Sequence, residues 1–326
     1  MMNTLVYVCP FVPAEWVAAH GMRPCRLLLD AAKERSLSGV PSGVCPYAHT
    51  FMSRALFEAD AAAIVVTTLC DQMRRVAELI ARSSELPVFL MNVPSTWQTS
   101  TAQQLYIAEL KRLGRFMVRL GGKSPSREQL AEVMREYDTT RSRIRAARGV
   151  LSARHYSEAI ATFHRKGSAD LAPPGAVPTP RGVPLALVGG PLMANHFQVF
   201  DVIEKAGGHV VLDATETGER TLPTPFDRRQ LADDPLMELA IAYFGSIPDA
   251  FRRPNSELYR WLKRNVTERD VRGLILRRYV WCDTWHAEVQ RMREWANVPL
   301  LDLDIGDDDH DSRTASQIQS FLAMLK

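Results

Sequence analysis

Apolar residues in this chain fall into two alternating patterns. One is a short β-branched run, as in Ala62 to Thr67, Pro87 to Val93, Pro184 to Val188, His209 to Leu212 and Pro299 to Leu303. The other is a longer stretch with apolar positions at three- and four-residue steps. Runs of the first kind predict buried strands and stretches of the second predict amphipathic helices. Long helices are expected over Ala102 to Leu120, Ser126 to Arg148 and Ala153 to Lys166. Ser126 and Gln129 have the spacing of a capping box at the start of the second. Further helices are expected near Phe197 to Ala206, Pro235 to Phe244, Asn255 to Asn265 and Ser312 to Leu325.

Strand and helix alternate on both sides of the proline-rich segment Ala172-Pro-Pro-Gly-Ala-Val-Pro-Thr-Pro-Arg, which can continue neither a helix nor a central strand. The expected fold class is therefore α/β, with two Rossmann-like parallel sheets. The expected division is residues 1–170, a linker over 171–183, and 184–326. Within it lies an echo. A strand-like run delivers Cys70-Asp71 to a helix, and two hundred or so residues later another delivers Cys282-Asp283 to a helix. Strand-to-helix connections lie at the carboxyl edge of a parallel sheet, where open α/β sheets bind ligands. Both Cys-Asp pairs are expected there, and a site between the two layers is expected with them.

Composition narrows the function classes. With 326 residues and 46% hydrophobic content, the chain is long enough for two domains and a sizeable core. A net charge of +3, from 40 basic and 37 acidic residues without a long one-sign block, does not point to nucleic acid. The arginines Arg141, Arg143, Arg145 and Arg148 have no interleaved aromatic residues and are read as a solvated helix face. No stretch resembles a membrane span. The N-terminus lacks a basic region and cleavage site of signal type, so a cytoplasmic location is expected.

Five cysteines, an odd number, point away from a disulfide framework. Cys25 lies inside an apolar run and reads as a small buried hydrophobe, while Cys9 ends a strand before Pro10. Cys45, in the Gly-, Pro- and Ser-rich stretch Ser38 to Pro46, stands with Cys70 and Cys282 at turn-like positions. The C-x-x-C pairs of zinc sites are absent, and three dispersed thiols suit an iron–sulfur cluster or no metal at all. Gly189-Gly190 and Gly207-Gly208 do not complete a dinucleotide fingerprint. No ATP-binding loop is present, and Gly207-Gly208 reads as the end of a helix.

Several stretches together resemble the 2-hydroxyacyl-CoA dehydratase and benzoyl-CoA reductase subunit family. These are Phe11-Val-Pro-Ala-Glu-Trp, Gly21-Met-Arg-Pro-Cys-Arg, Cys45, Thr67-Thr-Leu-Cys-Asp-Gln-Met-Arg-Arg, Val188-Gly-Gly-Pro-Leu, Asp213 with Thr217-Gly-Glu-Arg, and Trp281-Cys-Asp. Pro248-Asp249 stands where the family often has Pro-Cys. The resemblance, which covers nearly the whole chain, implies a [4Fe–4S] cluster held between two α/β domains by Cys45, Cys70 and Cys282. It also implies a paralogous second subunit, an ATP-dependent activator that supplies electrons, and an acyl-CoA substrate. In the dehydratases of the family, a low-potential electron converts the thioester to a ketyl radical anion that expels the 2-hydroxyl group. Benzoyl-CoA reductase-type chemistry and a non-catalytic, cluster-carrying electron-transfer subunit are the alternatives. Arg220, Thr217 and Gly218 are candidates for substrate contact, against a capped turn with a surface arginine. His49 and His286, each four residues past a cysteine, are candidates for proton relay, against ordinary packing or surface roles.

Overall fold

The computed structural model describes residues 3–30, 43–56, 61–169, 171, 182–306 and 311–326. The linker expected at 171–183 lies almost wholly outside them. The first part of the chain runs β1 (Thr4–Tyr7), α1 (Ala14–Ala19), β2 (Arg23–Arg26), α2 (Pro46–Leu56), β3 (Ala61–Thr67), α3 (Asp71–Ser83) and β4 (Val88–Met91), followed by α4 (Ser100–Arg119), α5 (Arg127–Ala146) and α6 (Ala153–Lys166). The second runs β5 (Val183–Gly189), α7 (Gln198–Lys205), β6 (Gly208–Ala214), α8 (Arg228–Asp233), α9 (Pro235–Ala240), α10 (Ser256–Glu268), β7 (Gly273–Tyr279), α11 (Asp283–His286), α12 (Val289–Trp295), β8 (Leu300–Ile305) and α13 (Asp311–Leu325). Among the described residues no helix is long and apolar enough to cross a membrane.

The strands form two four-stranded sheets, ordered β2-β1-β3-β4 and β6-β5-β7-β8, and every pairing is parallel. The two orders are the same topology used twice. In each, the chain leaves the first strand toward one edge and returns to place the third strand on its other side. Each sheet therefore has a switch point, between β1 and β3 in one and between β5 and β7 in the other. The echo in the sequence is this repetition: β3-Cys70-α3-β4 and β7-Cys282-α11-α12-β8 occupy equivalent places.

Strand residues alternate between two cores, as the two-residue period of a strand requires. Val6, Val8, Ile64 and Val66 of the first sheet, with Leu185, Leu187 and Ile275 of the second, belong to one continuous apolar core that spans both sheets. Leu5, Tyr7, Ala63 and Val65 point the other way, into a core with α1, α4, α5 and α9. Ala186, Val188, Leu274 and Leu276 pack toward α10 and α12. Both faces of each sheet are covered, which is why these strands read as unbroken apolar runs. Phe226, Leu239, Tyr243, Phe244 and Phe251 come late in the chain yet pack against the outer face of the first sheet, stapling the second half of the chain onto the first.

Local signals were reliable at the caps. Ser126 and Gln129 form the reciprocal capping box. Gly207, at φ +92°, ends α7 immediately before β6. The solvated reading of the arginines from Arg141 to Arg148 fails for Arg141 and in part for Arg145, which is half-buried and donates to Pro223 O, whereas Arg143 and Arg148 are exposed. Arg141 is fully buried and ion-paired with Glu15; Arg148, just past the end of α5, is exposed while pairing with Glu219. Gly189 is required by the close packing of β5 against β7. At φ +139° a Cβ would lie 1.9 Å from the Arg277 carbonyl oxygen, so only glycine lets β5 pass β7 at the rim of the site.

Candidate metal centre

The carboxyl ends of both switch points open into one cavity. From the first sheet come Val8 and Cys9 after β1, Thr67 at the end of β3, and Leu69 and Cys70 after it; from the second come Pro191 after β5, Tyr279 at the end of β7, and Cys282 and Thr284 after it. Cys45, Tyr47, Glu216, Asp249, Phe251 and Trp285 also line it. The cavity volume is about 100 Å³.

Cys45, Cys70 and Cys282 reach this cavity by the same local device. Each stands at the start of a helix, its carbonyl accepting the first helical bond: His49 N–H to Cys45 O at 2.9 Å, Arg74 N–H to Cys70 O at 3.0 Å, and His286 N–H to Cys282 O at 2.9 Å. Cys70 and Cys282 occupy N-cap positions outright. Gln72, two residues past Cys70, accepts the Cys45 N–H at 3.2 Å and so ties the two cysteine loops together. The helix starts bring backbone N–H groups, and the positive end of the α2 and α3 dipoles, to the side where the sulfurs lie.

The electrostatics are those of a crowded anionic site. Burial pushes the Cys282 thiol up to about 12; the Trp285 N–H opposes this, and the neighbouring Cys45, Cys70 and Glu216 reinforce it. Cys70 is likewise raised by burial, with the N–H groups of Met73 and Gln72 pulling the other way. Burial raises the Glu216 carboxyl to about 7; Asp249 adds to the shift, and Arg220 and Arg26 oppose it. Tyr47 is raised well above the ordinary tyrosine value and Tyr279 to about 12, burial being the main cause for both.

A cationic, sulfur-seeking centre fits this donor set. Three soft sulfur donors from three segments share one cavity, and although burial opposes thiolate formation at Cys70 and Cys282, a cationic iron–sulfur core would supply the compensating positive charge. Among the described residues no group of three His, Cys, Asp or Glu converges closely enough to hold a single metal ion. A cubane asks for something else, because its cysteines bind separate irons at separate corners.

The remaining residues singled out in the sequence are distributed as follows. Cys25, in β2, faces the core between the sheets. Cys9 lines the cavity and accepts the Phe11 N–H at 3.4 Å, but the thiols that press on Cys282 are Cys45 and Cys70. His49 is half-buried and His286 exposed, and neither is among the described lining residues. Arg220 is no surface residue. It is buried, donates to Ala214 O at 3.0 Å, Pro248 O at 2.7 Å and Asp249 Oδ2 at 2.6 Å, and lies over the Trp285 ring, so it braces the cavity wall from behind. Thr217 Oγ1 accepts the Leu192 N–H at 3.0 Å, and Gly218 packs so closely on Asp213 that a Cβ would lie 2.3 Å from its carboxyl carbon. Asp213 is buried and accepts from Ser157 Oγ at 2.6 Å and Thr215 Oγ1 at 2.7 Å. Sequence reasoning passed over Glu216, Gln72, Tyr47 and Tyr279. Glu216 lies between Asp213 and the Thr217-Gly-Glu-Arg stretch, and Gln72 lies inside the Cys70 motif.

Two parallel sheets that turn their switch points toward a shared thiol-lined cavity define an α/β protein built around a sulfur-donor site. Residues 9–325 match the model of the 2-hydroxyglutaryl-CoA dehydratase D-component family, and the chain belongs to that family. No curated relative matches the chain. Among solved structures, a manganese-bound periplasmic metal-binding protein from Candidatus Liberibacter asiaticus shares 10% identity over 99% of this chain and 97% of its own, with a TM-score of 0.25. A metal-free mutant form shares 10% over 100% and 98%, with a TM-score of 0.26. At such scores the likeness says nothing about the site.

Proposed function

We propose that this chain is the [4Fe–4S]-binding subunit of a 2-hydroxyacyl-CoA dehydratase-type enzyme, a lyase that removes water from a 2-hydroxyacyl thioester. The observation that carries the reading is the convergence of Cys45, Cys70 and Cys282, each at a helix start, on the cavity shared by the two switch points. These three cysteines would hold the cluster. When bound, a cluster with three protein thiolates supplies a low-potential electron and one iron free of a cysteine ligand.

The rest of the work falls to the chain. Gln72 sets the Cys45 loop against the Cys70 loop. Val8, Leu69, Phe251 and Trp285 give the cavity an apolar wall that keeps water from a reactive thioester. Arg220 and Thr217 fix the loops behind that wall, and this is the sense in which they and Gly218 serve substrate binding. The division into domains at 1–170 and 184–326 gives each sheet to one domain, with the centre between them.

The family supports an assembly with a paralogous second subunit, served by an ATP-dependent reductase. Accordingly, affinity purification under anaerobic conditions is expected to recover a related subunit with this chain. The pair, supplied with such a reductase and ATP, is expected to dehydrate a 2-hydroxyacyl-CoA. A chain that turns substrate over as a monomer without a reductant contradicts the proposal. Reduction of an aromatic acyl-CoA in place of dehydration would move it to the benzoyl-CoA reductase branch.

A further inference from the structure

The cavity contains two carboxyl groups, and the structure gives them different work. Asp249 is committed: it accepts from Arg220 Nη1 at 2.6 Å and from the Phe251 N–H at 3.0 Å. Glu216 is held only by its backbone. Its N–H donates to Gly190 O at 3.3 Å, and its carbonyl accepts from Arg26 Nη2 at 2.6 Å. Its carboxylate has no hydrogen-bond partner shown among the described residues, its nearest cation is Arg26 Nη2 at 4.0 Å, and 25% of its side-chain surface stays accessible. A fixed backbone with an uncommitted carboxyl in the cavity is the arrangement of a group that acts on something placed there.

The other proton-carrying groups are poorly suited. His49 and His286 stand outside the lining. The hydroxyls of Tyr47 and Tyr279 are held protonated well above neutral pH by burial. Glu216 also faces compensating charge, with Arg26 and Arg220 opposing the burial and the Asp249 repulsion that raise it. Glu216 in turn pushes up Cys9, Tyr47, Cys70 and Cys282.

Resting on the dehydration reading, we propose that Glu216 is the proton-transfer residue of the cavity, serving first as acid and then as base. As the C2–O bond of the 2-hydroxyacyl thioester breaks, its electron pair leaves with oxygen, and the Glu216 carboxyl gives its proton to that oxygen to form water. The carboxylate, stabilised by Arg26 and Arg220, then takes the proton from C3, whose bonding pair becomes the new C2–C3 double bond. One proton leaves Glu216 and one returns. The single activating electron, supplied by the ATP-driven reductase, is recovered, so the reaction is redox-neutral. Glu216 can serve in both directions because its carboxyl stands uncommitted in the cavity, with Arg26 Nη2 4.0 Å away to balance the carboxylate once the proton has left.

The test compares wild type, Glu216→Gln and Glu216→Asp in the cluster-loaded assembly. Glu216→Gln is expected to lower kcat for dehydration by about 10²- to 10⁴-fold while iron content and acyl-CoA affinity stay within about twofold; Glu216→Asp recovers part of the rate. A second readout uses the chain alone: carbon-13 NMR of labelled glutamates is expected to show one carboxyl titrating well above the others, lost in Glu216→Gln. A wild type inert toward every 2-hydroxyacyl-CoA defeats the dehydration reading and this inference with it. An active wild type matched by Glu216→Gln, or the absence of a raised glutamate, overturns the role of Glu216 and leaves the dehydration reading standing.

Discussion

Replacing Cys45, Cys70 or Cys282 with Ala is expected to strip the centre from the chain. After anaerobic reconstitution, iron and sulfide should fall together to background in each variant, whereas Cys25→Ala keeps the full complement. The three cysteines enter the cavity from separate helix starts, whereas Cys9, the other sulfur in the lining, follows β1 and is engaged by the Phe11 N–H. Cys25 points from β2 into the core between the sheets, where its loss removes only a small buried group. Far-UV circular dichroism on the same samples separates loss of the centre from loss of the fold. Equal metal content in all four variants contradicts the assignment.

The second large effect is on stability and lies outside the cavity lining. Glu15→Ala is expected to cost about 3–5 kcal/mol, a large part of the roughly 5–15 kcal/mol that holds a domain folded. Glu15, on α1, is buried. It pairs with Arg141 of α5 and accepts from the Tyr243 hydroxyl at 2.6 Å, so one carboxylate ties together α1, α5 and the turn after α9. Without it the Arg141 guanidinium stays buried, faced by Asp138 at 3.7 Å and the Phe226 ring at 4.8 Å. Urea unfolding measures the cost, and a change below about 0.5 kcal/mol would mean the pair behaves as an exposed one.

Arg141 also marks where the sequence ceased to be legible. On α5 it stands among arginines of identical appearance, and its partner Glu15 is more than a hundred positions away, so nothing local distinguishes a buried guanidinium from a solvated one. Arg220 was obscured in the same way, since its partners Pro248 and Asp249 are brought to it only by tertiary folding. What depends on neighbours along the chain could be read. The capping box at Ser126, the glycine after α7, and the strand-to-helix turns carrying Cys70 and Cys282 all follow from local chemistry. The repeated strand–Cys-Asp–helix pattern pointed correctly to two parallel sheets. It did not reveal that both sheets share one strand order, because that order is decided by which strands pair. Glu216 remained hidden because a lone glutamate in a polar turn looks exposed, and only its enclosure beside Asp249 and the cysteines gives it chemical character.

The central claim is that the two switch points close around one cluster held by three cysteines. Mössbauer spectroscopy of the iron-57-reconstituted wild-type chain, assembled with its partner and recorded with and without a 2-hydroxyacyl-CoA, tests it most directly. The account predicts about four irons and four sulfides bound by this chain, with one iron distinct from the other three and alone in shifting when substrate is added. Four equivalent irons indifferent to substrate, or no iron retained by a folded chain, would contradict it.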